Sequence, residues 1–115
     1  MKTASIFINE NIFESFLAIS AKEQQQGLMG VDPPAPVMAF VYTRPQVVHF
    51  WMKDTPAPLD IVFAERGVIT QIHEGIPYST SPIGQDMDTT LVVELPKGTV
   101  KNCNIRIGDS IGFVK

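Results

Sequence analysis

Cysteine is nearly absent from this sequence: Cys103 is the only one. An internal disulfide is excluded, and the usual cysteine spacings of a metal site are missing. Clusters of basic residues are lacking too. The Lys and Arg residues are scattered and outnumbered, giving a net charge of −3. That argues against nucleic acid as a partner, because binding to a phosphate backbone rests on clustered cations. No apolar run approaches the roughly 20 residues of a membrane-spanning helix, so no membrane partner is expected. The opening stretch "MKTASIFINENIFESF" alternates and has neither an uninterrupted apolar segment nor a small-residue cleavage site. No export signal is read from it, and a cytoplasmic location is expected. Histidine is limited to His49 and His73, without the H-x-H or H-E-x-x-H spacing of a metal site. No metal and no other cofactor is expected. There is no G-x-S-x-G elbow and no histidine near Cys103 in sequence, so no catalytic residue is assigned. The Asp86–Asp88 loop lacks the glycine and terminal glutamate of a calcium-binding EF-hand.

What is present reads as one folded domain over residues 1–115. The hydrophobic fraction of 44% and charged fraction of 18% exclude the composition of a disordered chain. Short runs rich in Val, Ile and Phe recur at 3–9, 12–19, 37–42, 46–52, 59–64, 68–74, 90–95 and 110–114. Turn chemistry separates them: Asn9–Glu10–Asn11, Thr43–Arg44–Pro45, Glu65–Arg66–Gly67, Pro96–Lys97–Gly98 and Gly108–Asp109. Such spacing predicts a mainly β, single-domain sandwich or jelly-roll-like barrel. The one helix signal is Ser20-Ala-Lys-Glu23, a capping-box pattern followed by good helix formers, which predicts a short α-helix over about 21–29. Residues 30–36 and 75–89 read as loops.

The segment "HFWMKDTPAPLDIVF", 49–63, carries the densest chemistry. Alternation places His49 and Trp51 on one face and Phe50 on the other. An inward Trp51 would bury a large ring and need an acceptor for its indole N–H. Asp54 and Thr55 before Pro56 read as a turn whose side chains fold back on the backbone. Asp60, between Leu59 and Ile61, either faces water or needs partners, since burying a bare carboxylate is costly. The apolar part of this unit is expected to be core. Its polar part, Lys53, Thr55 and Asp60, is expected to floor a small cleft with the Gln26–Met29 helix end. Met29 and Met52 suit a variable apolar ligand, and they serve equally well as gap-fillers in a core.

These pieces together resemble one family. "GLMG" (27–30), "FWMKDTPAPLDIVF" (50–63), "VVELPKG" (92–98) and "IRIGDSI" (105–111) occur in the order and at about the separations seen in DUF192, a small, widespread domain of bacterial, archaeal and phage-borne proteins. The resemblance runs from about Ile12 to the C-terminus. The family pattern maps onto Gly27, Leu28, Met29, Phe40, Trp51, Met52, Lys53, Thr55, Pro58, Leu59, Asp60, Phe63, Pro77, Glu94, Gly98, Gly108 and Asp109. It implies a mainly β, jelly-roll-like fold with one helix and no particular reaction. This chain departs from the pattern at Gln26, where arginine is usual, at Asp54, where asparagine is usual, and at Val37–Phe40, which replaces Gly-Met-Leu-Phe. Gln26 hydrogen-bonds but supplies no charge, and Asp54 adds a negative one. Many members carry an export or lipoprotein signal, and none is read here.

The expected role is a non-catalytic binding module for a small molecule, peptide or protein. Its site would comprise Gln26, Met29, Trp51, Met52, Lys53, Thr55 and Asp60. Two alternatives stand beside it. One is a small hydrolase using Asp60 with Lys53 or a histidine as an acid–base pair. The other is a structural or accessory protein of a phage or cell, acting through its surface. Composition sets no oligomeric state.

Overall fold

In the computed structural model, which describes residues 1–115, the Val-, Ile- and Phe-rich runs form seven strands. These are β1 (Thr3–Ile8), β2 (Asn11–Ala18), β3 (Met38–Val47), β4 (Leu59–Glu65), β5 (Val68–Gly75), β6 (Asp88–Pro96) and β7 (Ile111–Phe113). Two short helices, α1 (Ala21–Gln26) and α2 (Thr99–Asn102), complete the elements. The strands make one mixed sheet in the order β5-β4-β6-β3-β2-β1-β7. Only the β2–β3 pair is parallel, and α1 lies in the connection between those two strands. The sheet curls until its edges touch at one end. Ile69 donates to the Asp109 carbonyl at 3.0 Å, and Gly108 donates to the Ile69 carbonyl at 2.8 Å. The mainly β expectation holds, in the form of a half-barrel.

Strand alternation divides the apolar side chains into two cores. Ile6, Ile8, Val62, Val93, Leu95 and Ile111 fill the inside of the curl. Leu59, Ile61, Phe63, Val92, Met38 and Phe40 point to the other face of β3, β4 and β6. There they meet Leu28, Ala35, Met52 and Ala57, delivered by the segments 27–37 and 48–58. The central strands are thus covered on both faces, which explains why they read as nearly continuous apolar runs.

Several boundaries differ from the sequence reading. The capping box at Ser20 forms: Glu23 N donates to Ser20 Oγ at 3.1 Å, and Ser20 N donates to Glu23 Oε1 at 3.0 Å. The helix stops at Gln26 rather than 29, because Gly27 takes a φ of 48°, which a helix does not use and a glycine tolerates. A side chain there would also press on the Phe40 ring, 3.4 Å from the position of a Cβ. The runs 37–42 and 46–52 are not separate strands. β3 continues through the Thr43–Arg44–Pro45 turn to Val47, with a shift of register against β6 between Val41 and Gln46. Pro45 is accommodated at that irregularity, since it has no N–H to donate. Residues 48–58 are irregular, held by the Phe50–Ile83 bridge and by backbone hydrogen bonds such as Met52 N–H to the Ser79 carbonyl (2.8 Å) and Lys97 N–H to the Pro58 carbonyl (3.2 Å).

The helix α2 was not anticipated, and Asp60 is what holds it. Asp60 Oδ2 accepts from the backbone N–H groups of Gly98 (3.0 Å) and Val100 (2.9 Å), tying β4 to the first turn of α2. The carboxylate thus has partners and is fixed in the framework. Asp60→Ala leaves two part-buried donors without an acceptor and is expected to cost about 1–3 kcal/mol. Asp60→Asn, which keeps a carbonyl oxygen, should cost less. Urea unfolding midpoints check this, and an unchanged midpoint in Asp60→Ala would remove Asp60 from the framework.

Candidate functional site

The largest deviation from sheet chemistry lies on β6. Its alternation sends Leu91, Val93 and Leu95 into the curl and sends Val92 to the outer core. Glu94 follows Val92 on that outer face. It sits on a strand hydrogen-bonded on both sides, opposite Met38 of β3 and Ile61 of β4. The residue is 4% exposed. Its carboxyl accepts or donates no hydrogen bond and enters no ion pair with any protein group. Burial raises its pKa from an ordinary 4.5 to about 8, so it is mostly a neutral acid at pH 7.

Glu94 lies in the wall of a cavity of about 330 Å³, a size typical of small-molecule sites. The other walls come from three directions. The end of α1 and its exit contribute Gln24 to Met29. β3 contributes Phe40 and Tyr42. The 48–58 segment contributes Val48 to Trp51 and Thr55. Phe50 is packed edge-on against Phe40, with ring centroids 4.8 Å apart, and against Phe63 at 5.7 Å. These contacts fix the aromatic wall. The pKa of Tyr42 is raised to about 12, first by burial and then by the nearby Glu94 charge, so its hydroxyl keeps its proton.

The hydrogen-bonding capacity around this cavity is uneven. Gln24 uses its amide N–H group on the Ala18 and Val41 carbonyls at 3.1 and 2.9 Å. Gln26 donates to the Met29 carbonyl at 3.3 Å. Thr55 Oγ1 donates to the Lys53 carbonyl at 3.1 Å. His49 Nε2 is paired with the exposed Asp86 carboxylate at 3.2 Å. Gln24, Gln26, Thr55 and His49 are thus engaged, while the Glu94 carboxyl and the Gln24 and Gln26 side-chain oxygens are left as acceptors and Gln25, Tyr42 and Trp51 keep free donors.

Of the residues singled out from sequence, Gln26, Met29, Trp51 and Thr55 come together around this cavity. Met52, Lys53 and Asp60 do not line it. Met52 is fully buried in the outer core, where a Cβ on Gly75 would come within 2.8 Å of its sulfur. Lys53 lies outside, its Nζ 5.2 Å from the centre of the Trp51 ring. Asp60 points to α2, away from the cavity. A shallower cavity does bring Asp60 near His73, Glu74 and Lys97, but these groups are spent elsewhere. Lys97 pairs with Glu74 at 3.0 Å, and His73 Nε2 bonds Gln71 Oε1 at 2.8 Å. No cluster of three His, Cys, Asp or Glu side chains is placed to hold a metal ion.

Trp51 is a correction. It was expected as an inward anchor and is instead 48% exposed, at the cavity rim. The alternation was right and its sense was reversed: Met52 is fully buried and Phe50 partly buried against the outer core. The 48–58 segment is not a strand of the sheet, so no sheet face dictated which set turned inward. The turn reading at Asp54 fits, because Asp54 adopts a φ of 55°, a left-handed conformation that Asp and Asn tolerate best among non-glycine residues.

Glu94 is among the residues onto which the family pattern maps but was given no place in the expected site, although "TLVVEL" carried the signal. An acid inside an apolar run of a central strand, here Leu91 to Leu95, must be paired, neutral or functional. Its raised pKa has a consequence for folding. Folding takes up a proton between pH 4.5 and about 8. The associated stability is present in full below the lower value and is lost as pH rises through the upper one. The wild-type protein is expected to lose on the order of a few kcal/mol across that window, and Glu94→Gln to lose much less. His73, whose pKa burial lowers, is common to both proteins, so their difference isolates Glu94. Unfolding curves between about pH 5 and about pH 9 check it. Parallel pH profiles would contradict it.

The comparisons with known proteins agree with the geometry. The model of the family DUF192, described as an uncharacterized ACR, matches residues 5–113. A crystal structure from Sinorhizobium meliloti 1021, described as a "putative transcription regulator", superposes with a TM-score of 0.91 at 30% identity. The match covers 97% of this chain and 94% of that one. A protein of unknown function from Novosphingobium aromaticivorans superposes with a TM-score of 0.89 at 27% identity, covering 96% of this chain and 84% of that one. No curated protein matches the chain at a significant level. With nearly its whole length matched, this chain belongs to the DUF192 family.

Proposed function

We propose that this protein is a binding module whose ligand is a small molecule, seated in the cavity walled by Glu94. The observation that carries this reading is the carboxyl itself. It is almost fully buried, meets no protein partner, and lies where a strand would normally place another valine. The carboxyl opens on the cavity among apolar strand neighbours, which disfavours its ionised form. A sheet that served only as a scaffold would gain by replacing it with an apolar residue. The remaining walls supply what a ligand site needs: a rigid aromatic side, adaptable Met29, and a few polar atoms.

The reading is non-catalytic. A carboxyl with a raised pKa is also what a general acid would require. The lining residues that could act beside it are otherwise committed: Tyr42 keeps its proton up to about 12, His49 is paired with Asp86, and Thr55 donates to the Lys53 carbonyl. A ligand-sensing domain is compatible with the regulator description of the Sinorhizobium relative.

Thermal-shift screening of a small-molecule library against wild type and Glu94→Gln tests the proposal. Compounds in the cavity at about a hundredfold excess over Kd should stabilise wild type by about 2.7 kcal/mol, and the variant markedly less. A set of compounds acting equally on both proteins would contradict a role for Glu94. Turnover in a broad hydrolase panel, lost in Glu94→Gln, would replace the binding module with an enzyme.

A further inference from the structure

We infer that the ligand of this cavity is a small organic cation, its ammonium group held by the Glu94 carboxylate and bordered by the rings of Tyr42, Phe50 and Trp51. This rests on the binding-module reading and names the chemistry that the site would select. Four observations converge on it.

The first is the absence of a protein cation. None of the cavity residues is Lys or Arg, and the two strand neighbours opposite Glu94 are Met38 and Ile61. A carboxyl set among apolar groups gains most from a partner that brings positive charge into the same low-dielectric space. The second is the wall. Aromatic rings carry negative potential on their faces and attract cations, most strongly when both are desolvated. One of these rings already does so at the rim, where the Lys53 ammonium stands 5.2 Å from the Trp51 centroid. The third is the hydrogen-bond inventory. Gln24, Gln26 and Thr55 have directed their donors to backbone carbonyls, so the Gln24 and Gln26 oxygens stand beside Glu94 to accept from an ammonium, while Gln25, Tyr42 and Trp51 keep donors for any polar group the ligand also carries. The fourth is the entrance. At the rim the Lys53 ammonium over Trp51 is offset by Asp86, 88% exposed, which holds His49, and the chain as a whole carries a net charge of −3, so the wider field favours the approach of a cation over an anion.

Binding requires the charged form of the carboxyl. An ammonium ligand therefore displaces one proton from Glu94 to the buffer. The titratable groups facing Glu94 are Tyr42 from β3 and His49 from the 48–58 segment; β4 and the lining residues of α1 contribute none. Tyr42 stays protonated up to about 12, and His49 is removed as a confounder by Asn substitution.

Isothermal titration of the full chain with four probes tests the inference: choline, n-butylammonium, butyrate, and the uncharged isostere of choline in which carbon replaces nitrogen. Both cations should bind, with choline at least about tenfold tighter than its isostere, and butyrate should not bind. Choline keeps its charge at every pH, so its affinity should rise by up to about tenfold per pH unit on approaching pH 8 and then level off. The observed binding enthalpy should vary linearly with the ionisation enthalpy of the buffer, its slope giving the proton released. The slope should persist in His49→Asn and vanish in Glu94→Gln, whose retained far-ultraviolet circular dichroism shows that it is folded. If Glu94→Gln does not fold, proton release from wild type and the isostere comparison still decide the matter. Equal binding of choline and isostere overturns the inference. So does affinity that falls as pH rises, because that marks a protonated carboxyl donating to a neutral ligand. If the cations fail while neutral compounds from the library stabilise the protein through Glu94, the cation class falls and the binding module stands. If nothing binds, both fall.

Discussion

The structure turns on a carboxyl group placed where a sheet wants a hydrocarbon. Glu94 occupies the outer face of β6, between Met38 and Ile61, and no protein donor or cation meets it. In such a position the ionised form is strongly disfavoured, so the fold holds a neutral acid under ordinary conditions. That neutrality is conditional. A partner carrying positive charge would restore the ionised form, and the free energy of that restoration belongs to binding and not to folding.

Everything around Glu94 follows from how the half-barrel covers its outer face. The interior of the curl is filled by aliphatic side chains from six of the seven strands and needs no further cover. The outer face of β3, β4 and β6 is equally apolar and lies under loops. The segment after α1 brings Leu28, and the 48–58 segment brings Phe50, Met52 and Ala57. Irregular backbone does not pack as tightly against a sheet as a regular layer does, and the space that remains runs to Glu94. Phe50 is the hinge of this arrangement. Its edge-on contacts with Phe40 and Phe63 join the loop to the two strands that flank β6, so the wall of the cavity is as fixed as the sheet.

The architecture was largely legible in the sequence, because hydrophobic periodicity and turn residues are local signals. Apart from the run 46–52, most of which is irregular, the strands, the Ser20–Glu23 capping box and the turns at Asn9 and Arg66–Gly67 could be read in place. α2 could not, since four residues carry too little periodicity and its anchor, Asp60, is 38 residues away from Gly98 along the chain. The site was legible in part. Gln26, Met29, Trp51 and Thr55 were named together, and Asp60 and Lys53 were named with them because proximity in sequence was the only guide. On a strand, adjacent residues face opposite ways, and this sent Asp60 to α2 while Leu59 and Ile61 went to the outer core. The orientation of Trp51 depended on a loop whose facing is set by tertiary packing. Glu94 is the acid within the apolar run of β6 from Leu91 to Leu95, and it was left out of the site because sequence does not reveal whether a carboxylate has a partner across the sheet.

The account depends on the protonation of one side chain, and that can be observed directly. Carbon-detected NMR of the protein labelled at glutamate side-chain carboxyls, with Glu94 assigned by its loss in Glu94→Gln, follows its titration in the absence of ligand. The account predicts a midpoint near the raised value of about 8, well separated from the exposed glutamates. A midpoint in the ordinary range near 4.5 would mean that the carboxyl is solvated or paired in solution, and the site built on its isolation would not exist.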